Sequence, residues 1–228
     1  VAGHGIPAET LADTFRRSFA FFDQPDAVKA QWSPTGPARQ RGYHGVATRS
    51  LAATLGQKTP QDLRESVFLG PVDDHRAHYA ALPEAATAYA PNILPDTPPG
   101  TAETFTGIYR AYERLSLDLL RVFAVALGLP EEHFTPLMGR HFSILGVHHY
   151  PALETPPEPG QLRAGAHTDF GAMTILAMTE GRGGLEARTP AGRWLPVLPE
   201  PGELVVNLGD MMQRWTNDRW VSTLHRVV

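Results

Sequence analysis

The stretch RAGAHTDFGAMTIL, residues 163–176, places a histidine and an aspartate two positions apart in a run of small and apolar residues. Such a run is typical of a short buried strand. Side chains alternate between the two faces of a strand, so His167 and Asp169 are predicted to project from the same face, about 7 Å apart. The stretch therefore predicts a core strand that carries two groups able to bind one metal ion.

The rest of the C-terminal part has the same β-prone character. After Leu129 the sequence breaks into short apolar runs separated by Gly, Pro and Asn turns, a spacing typical of a sandwich or barrel. Besides AHTDFGAMTILAM, the runs are HFSILGVHHY, WLPVL, ELVVNL and WVSTLHRVV. Residues 141–228 are therefore predicted to form a β core.

The N-terminal part, residues 1–140, is predicted to be largely helical. Apolar residues at helical spacing predict a helix over Ala8–Phe22. A second apolar series, stepping by three and four, predicts a long helix from Thr101 that ends before Gly128. The predicted fold is thus mainly β with flanking helices, in one domain that spans the chain.

Composition excludes several classes of function. The chain of 228 residues has a net charge of −4 and no cysteine, which argues against polyanionic partners and excludes thiolate metal sites and disulfides. No apolar run reaches the roughly 18 residues of a membrane span, and VAGHGIPAET lacks the profile of a signal peptide. We expect a cytoplasmic protein with a small-molecule partner and neither a nucleic-acid nor a membrane partner; the oligomeric state stays open.

A third metal ligand is available near the C-terminal end. The β-prone run STLHRVV contains His225. A His-x-Asp pair alone is common in proteins without any metal, but two histidines and one carboxylate make the facial triad of non-haem iron(II), which leaves coordination positions open. His167, Asp169 and His225 could therefore form such an iron centre, with an incidental surface or core His-x-Asp pair as the alternative.

Several motifs resemble the isopenicillin N synthase-like branch of the iron(II)- and 2-oxoglutarate-dependent dioxygenases. They occur in the order and spacing of that family over nearly the whole chain. The motifs are HGIP at 4–7, PNILPD at 91–96, HHYP at 148–151, AHTDFGAMTIL at 166–176, GGLEA at 183–187 and GELVVNLGDMMQRWTNDRWVSTLHRVV at 202–228. The last of them is highly specific. The resemblance implies a double-stranded β-helix, or jelly-roll, core.

The resemblance also implies roles for individual residues. His167, Asp169 and His225 correspond to the iron ligands of the family, which uses Fe(II), 2-oxoglutarate and O2. Tyr150 corresponds to the position that hydrogen-bonds 2-oxoglutarate. His148 stands where many plant relatives have asparagine, and either a co-substrate contact or a supporting core histidine fits it.

The chain departs from the family at both ends. The family carries an Arg-x-Ser motif about ten residues after the distal histidine, whose arginine clamps the far carboxylate of 2-oxoglutarate. The sequence stops at Val228 and also starts without the usual first strand. We expect it to be a piece of a longer protein.

Other polar residues leave alternatives open. Asn207 and Asp210 are interpreted as ordinary turn residues beside glycine, although they could tune the site. Phe170 is expected to pack in the core. Arg39 and Arg41 are expected in a solvated loop, with a role in holding a substrate carboxylate as the alternative.

The predicted activity is hydroxylation, desaturation or cyclisation of a small organic substrate, and a composition rich in Ala, Pro and Arg suggests bacterial secondary metabolism. One alternative is an oxidase like isopenicillin N synthase, which needs no 2-oxoglutarate. A second is a cupin-like metal-binding module without turnover. Such modules usually have three histidines and a glutamate.

Overall fold

The structure is a computed structural model that describes residues 1–35, 40–56, 58–179 and 183–228. The helices in these ranges are α1 (Ala8–Phe22), α2 (Asp26–Lys29), α3 (Ala85–Ala88), α4 (Thr101–Ala126) and α5 (Asp210–Trp215). The strands are β1 (Gly42–His44), β2 (Glu65–Leu69), β3 (Leu145–His149), β4 (Ala164–His167), β5 (Met173–Leu176), β6 (Leu185–Arg188), β7 (Trp194–Pro196), β8 (Val205–Leu208) and β9 (His225–Val227).

The chain divides into two compact units. The helical unit comprises Gly5–His44 and Ser66–Val147. The β unit comprises Val1–His4, Gly45–Glu65 and His148–Val228. Each unit draws on separate parts of the sequence, so residues 45–65 belong to the same unit as the C-terminal strands.

Both long helices of the helical unit have the predicted bounds. α1 covers Ala8–Phe22, and α4 begins at Thr101. Immediately before α4, Gly100 adopts a left-handed φ of 87°, and its N–H donates to Oδ1 of Asp96 at 2.8 Å. Gly128, with a φ of 76°, follows the end of the helix. A residue with φ above zero cannot continue a right-handed helix, so the two glycines define the length of α4.

The core of the helical unit is aromatic. α1 packs against α4, and Phe21 lies 5.2 Å from Phe22 and 5.8 Å from Tyr43 between ring centroids, both in edge-on geometry. The buried cluster consists of Phe21, Phe22, Tyr43, Val67, Leu69 and Phe105. The segments around residues 42 and 66 pair as antiparallel β1 and β2, with Tyr43 opposite Val67. Together with β3 they form a three-stranded sheet in the order β1-β2-β3.

Arg41 is not in a solvated loop, contrary to the prediction. Its side chain is fully buried, Nη2 donates to the carbonyl oxygen of Ala88 at 2.5 Å, and the guanidinium lies 5.7 Å from the ring centroid of Phe142. The backbone of Gly70 passes so close to the guanidinium that a Cβ there would overlap it. Arg41 is therefore part of the core of the helical unit. Arg39 lies outside the described residues.

Two antiparallel sheets form the β unit. One has the order β4-β9-β6-β7 and the other pairs β5 with β8. Leu176 of β5 packs against a buried cluster of Ala164, Leu185 and Val227 from the first sheet. The two sheets are thus layers over a shared apolar core, which confirms the predicted β character of this part of the chain.

The β part also contains a helix that the sequence reasoning did not predict. α5 begins at Asp210, directly after Gly209 in extended conformation, and buries Met212. An acidic residue in the first turn stabilises the positive end of a helix. The segment DMMQRW is therefore a short helix between β8 and β9.

Candidate functional site

His167 and His225 face each other across two neighbouring strands. His167 is the last residue of β4 and His225 the first of β9, and the two residues are paired in the antiparallel register. The next pair along is Ala164 with Val227, so β4 uses one more residue than β9 and contains a bulge. The two imidazole centroids lie 4.3 Å apart.

Both imidazole rings are oriented by their own strand. Nδ1 of His167 donates to the carbonyl oxygen of Gly165 at 2.8 Å, and Nδ1 of His225 donates to that of Thr223 at 2.9 Å. A carbonyl oxygen only accepts hydrogen bonds, so the proton of each neutral ring is on Nδ1. The lone pair of each Nε2 is therefore available to a metal ion.

Asp169 completes the triad from a turn and not from a strand. Its Oδ1 lies 3.7 Å from Nε2 of His167 and 3.7 Å from Nε2 of His225. The prediction that His167 and Asp169 occupy one strand is wrong, because β4 ends at His167. The three ligand atoms lie within 4.8 Å of one another, close enough to share one ion.

The other oxygen of the Asp169 carboxylate is held by two donors. Oδ2 accepts hydrogen bonds from Oγ1 of Thr174 at 2.5 Å and from Nδ2 of Asn207 at 2.7 Å. Burial raises the pKa of Asp169, but these two hydrogen bonds and the two facing histidines outweigh it, and the pKa lies below its usual value. The group is thus ionised, with Oδ1 directed at the histidines.

Burial also favours the neutral form of His167. The side chain is 13% exposed, and burial followed by the proximity of His225 lowers the pKa of His167. A neutral imidazole is the form that binds metal ions. The site therefore offers two imidazole nitrogens and one carboxylate oxygen, the donor set of non-haem iron(II).

The turn that carries Asp169 is held by the start of α5. The N–H of Asp210 donates to the carbonyl oxygen of Asp169 at 2.7 Å, and Oδ2 of Asp210 accepts from the hydroxyl of Thr168 at 3.2 Å. A Cβ at Gly209 would overlap the carbonyl oxygen of Gly171 and lie 2.8 Å from that of Asp169. Only glycine allows this approach of the two backbones.

Three expectations about neighbouring residues need correction. Asn207 is not a turn residue but the third residue of β8, and it contacts the Asp169 carboxylate. Asp210 is the first residue of α5 and holds the Asp169 turn. Phe170 does not pack in the core, since it is 70% exposed on the outer side of this turn.

His148 lies in β3, and Tyr150 follows directly after the end of that strand. Tyr150 packs against Ala164, Leu185 and Val227, and burial raises its pKa while the neighbouring Arg64 opposes the shift. Burial, with the charges of Arg64 and His167, lowers the pKa of His148 to about 3. His148 is therefore uncharged at neutral pH.

Sequence reasoning missed Thr174, and it missed the effect of the charge of Arg64 on the pKa of His148 and Tyr150. Thr174 lies opposite Asn207 in the pairing of β5 with β8, so the two donors to Asp169 sit side by side. The signal was present, since both are polar residues inside apolar strand runs. Arg64 gave no such signal, because it stands in the polar segment DLRES.

Comparison with known proteins agrees with this geometry. Residues 141–228 match the 2OG-Fe(II) oxygenase superfamily, and residues 1–97 match the N-terminal family described as non-haem dioxygenase in morphine synthesis. Over all of this chain, the proline hydroxylase buaE of Petromyces alliaceus is 33% identical, with 69% of its own length covered. The validamycin A dioxygenase of Streptomyces hygroscopicus subsp. limoneus is also 33% identical, with 62% of its length covered. The chain thus spans about two thirds of these relatives.

Solved structures show the same fold. A full-length Neurospora crassa protein in complex with alpha-KG has a TM-score of 0.80 and 29% identity, covering all of this chain and 67% of the Neurospora chain. A putative 2OG-Fe(II) oxygenase from Caulobacter crescentus has a TM-score of 0.77 and 30% identity, covering all of this chain and 69% of that protein. The jelly-roll fold predicted from the motifs is therefore confirmed.

No helix among the described residues is long and apolar enough to cross a membrane. The expected family, enzyme class and cofactor requirement are confirmed by relatives named as 2-oxoglutarate-dependent dioxygenases. The chain belongs to the 2OG-Fe(II) oxygenase superfamily and is an oxidoreductase of the type that uses Fe(II), 2-oxoglutarate and O2.

Proposed function

We propose that His167, Asp169 and His225 bind the catalytic iron(II). The observation that carries this proposal is the convergence of two Nε2 atoms and Oδ1 within 4.8 Å. Each of the three groups is also hydrogen-bonded on its far side, at Nδ1 or Oδ2. Partners of this kind fix the tautomer and orientation of metal ligands.

The protein residues prepare the site for the metal. Bound iron(II) would supply the activation of dioxygen coupled to decarboxylation of 2-oxoglutarate. The two backbone carbonyls hold the imidazole rings in the metal-binding tautomer. Thr174 and Asn207 occupy one oxygen of Asp169, which leaves the other for the ion. The three side chains are 13 to 22% exposed, so little water reaches them.

Tyr150 and His148 are the proposed contacts of 2-oxoglutarate. The raised pKa of Tyr150 keeps its hydroxyl protonated, so it can donate a hydrogen bond to a carboxylate. The neutral ring of His148 can donate to or accept from a ligand without adding charge. Both residues belong to the β unit, as does the triad.

The proposed substrate is a small organic molecule, oxidised by hydroxylation, desaturation or cyclisation, in secondary metabolism. The relatives named as proline hydroxylase and validamycin A dioxygenase support this class, as does the structure of the Neurospora crassa protein in complex with alpha-KG and thymine. A net charge of −4 favours a small-molecule substrate over nucleic acid. The proposed location is the cytoplasm, and a chain without cysteine fits its reducing conditions.

Anaerobic reconstitution with Fe(II) tests the proposal. Addition of 2-oxoglutarate should produce the weak visible charge-transfer band of a keto acid bound to iron. His167→Ala should lose this band, whereas replacement of the exposed His133 by alanine should retain it. Iron binding without a band would contradict the co-substrate assignment and favour the oxidase alternative. Absence of iron binding would contradict the triad.

A positive result would justify a substrate screen. The ratio of succinate released to substrate oxidised distinguishes a 2-oxoglutarate-dependent dioxygenase, which produces succinate, from an oxidase that takes all electrons from its substrate. The screen would start from proline, validamycin A and thymine, since these compounds appear in the names of the relatives and their complexes.

A further inference from the structure

The carboxylate of Asp62 is buried against β4. The residue is 3% exposed and belongs to the β unit. Its two oxygens accept from backbone N–H groups, Oδ1 from that of Gly165 and Oδ2 from that of Leu51, each at 3.0 Å. Nε of Arg64 lies 3.9 Å from Oδ2. A carboxylate is costly to bury without donors, and these contacts offset that cost. Asp62 thus joins the segment around residue 51 to the strand that ends in His167.

The backbone of Asp62 is itself fixed. Its N–H donates to the carbonyl oxygen of Arg49 at 2.7 Å, and its carbonyl oxygen accepts from the N–H of Ala47 at 3.1 Å. The next residue, Leu63, donates its N–H to the carbonyl oxygen of Leu162, just before β4, at 3.0 Å. Because these bonds hold the chain on both sides of Asp62, its carboxylate has a defined position against the strand.

Gly165 lies in the bulge of β4. The register with β9 pairs Ala164 and His167 and shifts between them. A bulge interrupts the ladder of hydrogen bonds between two strands, so the backbone groups inside it need other partners. The carboxylate of Asp62 is such a partner for the N–H of Gly165. A side chain from a distant part of the sequence therefore holds the bulged part of the strand.

The same glycine supplies the carbonyl that orients His167. That oxygen accepts from Nδ1 of the imidazole at 2.8 Å. A Cβ at Gly165 would lie 3.0 Å from the backbone nitrogen of Ala52 and 3.3 Å from Oδ1 of Asp62, which favours glycine at this position. Glycine also has wide φ/ψ freedom, so the direction of its carbonyl depends on what holds the neighbouring atoms. The position thus combines a glycine with a separate contact that fixes it.

We propose that Asp62 is a positioning residue for His167. Its carboxylate holds the N–H of Gly165, and the carbonyl oxygen of that glycine keeps the proton of the imidazole on Nδ1, which leaves Nε2 to the triad. Asp62 acts through Gly165 and not by contact with the ion. The inference rests on the proposed function, because the ring that Asp62 orients is a proposed ligand of iron(II).

The first experiment records the histidine tautomers of metal-free protein by long-range proton–nitrogen NMR at one mildly alkaline pH. Wild type should show the Nδ1–H tautomer for both His167 and His225, and replacement of each histidine by glutamine assigns the two rings. In Asp62→Ala, the ring of His167 should become a mixture of tautomers, and its Nδ1 proton should exchange about threefold faster or more. The ring of His225 is the internal control, because the carbonyl oxygen of Thr223 orients it.

A second aspartate controls for a general loss of stability. Asp96 also accepts backbone N–H groups, from Gly100 at 2.8 Å and from Ala102 at 3.4 Å, but it belongs to the helical unit. Asp96→Ala should therefore lower the free energy of unfolding and leave both imidazole rings unchanged.

Asp62→Asn is the conservative variant. It keeps the size of the side chain and one acceptor oxygen, and the backbone amide resonance of Gly165 reports whether that oxygen still binds the N–H of Gly165. The ring of His167 should keep its Nδ1 proton if this hydrogen bond is retained and become a mixture of tautomers if it is lost. The two signals are thus expected to change together.

The second measurement is the affinity for Fe(II), from competition with a chromophoric chelator. Asp62→Ala should bind Fe(II) about tenfold more weakly than wild type or worse, because His167 no longer presents Nε2 in a fixed direction. Asp96→Ala should bind Fe(II) as wild type does.

The inference is overturned if Asp62→Ala leaves the tautomer of His167 unchanged, or if it alters His167 and His225 to the same extent. If Asp62→Ala does not fold, Asp62→Asn decides, since a lost hydrogen bond at Gly165 with an unchanged ring of His167 also overturns the inference. Failure of the proposed function has a different signature, because wild type would then not bind Fe(II). The NMR comparison needs no metal and would still show whether Asp62 orients His167.

Discussion

Asn207 donates a hydrogen bond from Nδ2 to Oδ2 of Asp169 at 2.7 Å, on the side of the carboxylate that faces away from the two histidines. Thr174 donates to the same oxygen. The carboxylate is therefore held from behind by two strands of the second sheet, while the histidines come from the first. The geometry of the proposed metal centre therefore depends on how the two sheets pack.

Loss of either donor should weaken metal binding. We expect Asn207→Ala and Thr174→Val each to reduce Fe(II) affinity by about tenfold to hundredfold, because Asp169 would lose its orientation and its ionised form. Thr54→Val, the same change at an exposed threonine of the β unit, should have no effect. Competition for Fe(II) with a chromophoric chelator gives the affinities. Equal affinity in Thr174→Val and Thr54→Val would contradict the assigned contact.

Gly209→Ala should destabilise the turn that carries Asp169. A methyl group there would overlap the carbonyl oxygen of Gly171, so the backbones must separate at a cost of about 1–3 kcal/mol in the free energy of unfolding. Gly107→Ala is the matched control, since Gly107 is exposed within α4 and has open space around it. That control should be stabilising by up to about 1 kcal/mol. Chemical denaturation measures both, and a neutral Gly209→Ala would refute the close approach.

The exposure of Phe170 predicts a small effect on stability. Phe170→Ala should change the free energy of unfolding by less than about 0.5 kcal/mol, because the ring is 70% exposed. Phe105→Ala, by contrast, removes a fully buried ring of the helical core and should cost about 3–5 kcal/mol. Denaturant titrations of the two variants provide the comparison. A large loss in Phe170→Ala would show that this ring is packed after all.

Arg226 links three strands on the side of β9 opposite His225. Its guanidinium donates to Oε2 of Glu186 at 2.7 Å and lies 4.2 Å from the ring centroid of Trp194. We expect a double-mutant cycle with Glu186→Gln and Arg226→Gln to give a coupling free energy of about 0.5–1 kcal/mol, reduced by salt. A coupling near zero at low ionic strength would mean that the Arg226–Glu186 ion pair does not stabilise β9.

His148 should make stability depend on pH. Its pKa is about 3 in the folded protein, whereas an unfolded chain binds a proton at this residue below about pH 6.5. The unfolded state therefore binds more protons in this window, and the free energy of unfolding decreases as the pH falls from about 6.5 towards 3. In metal-free protein, His148→Asn should reduce the difference in stability between pH 7 and pH 5. An unchanged difference would contradict the lowered pKa of His148.

The sequence predicted the features that depend on local pattern. Helical periodicity was sufficient for α1, and periodicity together with Gly128 was sufficient for α4, since these signals lie within or next to the elements themselves. The motifs around His167 and His225 were sufficient for the family, and the three residues of the predicted triad lie together in the structure. In both cases the residues that support the prediction are near one another in the sequence.

Features set by distant contacts could not be predicted in this way. Asp169 lies in a turn because its backbone bonds the start of α5, which follows much later in the sequence. Arg41 is buried because Ala88 and Phe142 surround it. Such environments arise only after the elements pack, and a polar residue in a turn-rich segment carries no local sign of them.

The hydrogen bonds from the two histidines have a consequence for how such enzymes diversify. Each imidazole is aligned by a peptide carbonyl two residues earlier in its own strand, at Gly165 and Thr223, and every amino acid supplies that carbonyl. The alignment of the rings is therefore insensitive to mutation of the side chains that would shape a substrate pocket. Selection, natural or in the laboratory, can therefore change substrate preference while the alignment of the two proposed iron ligands is retained.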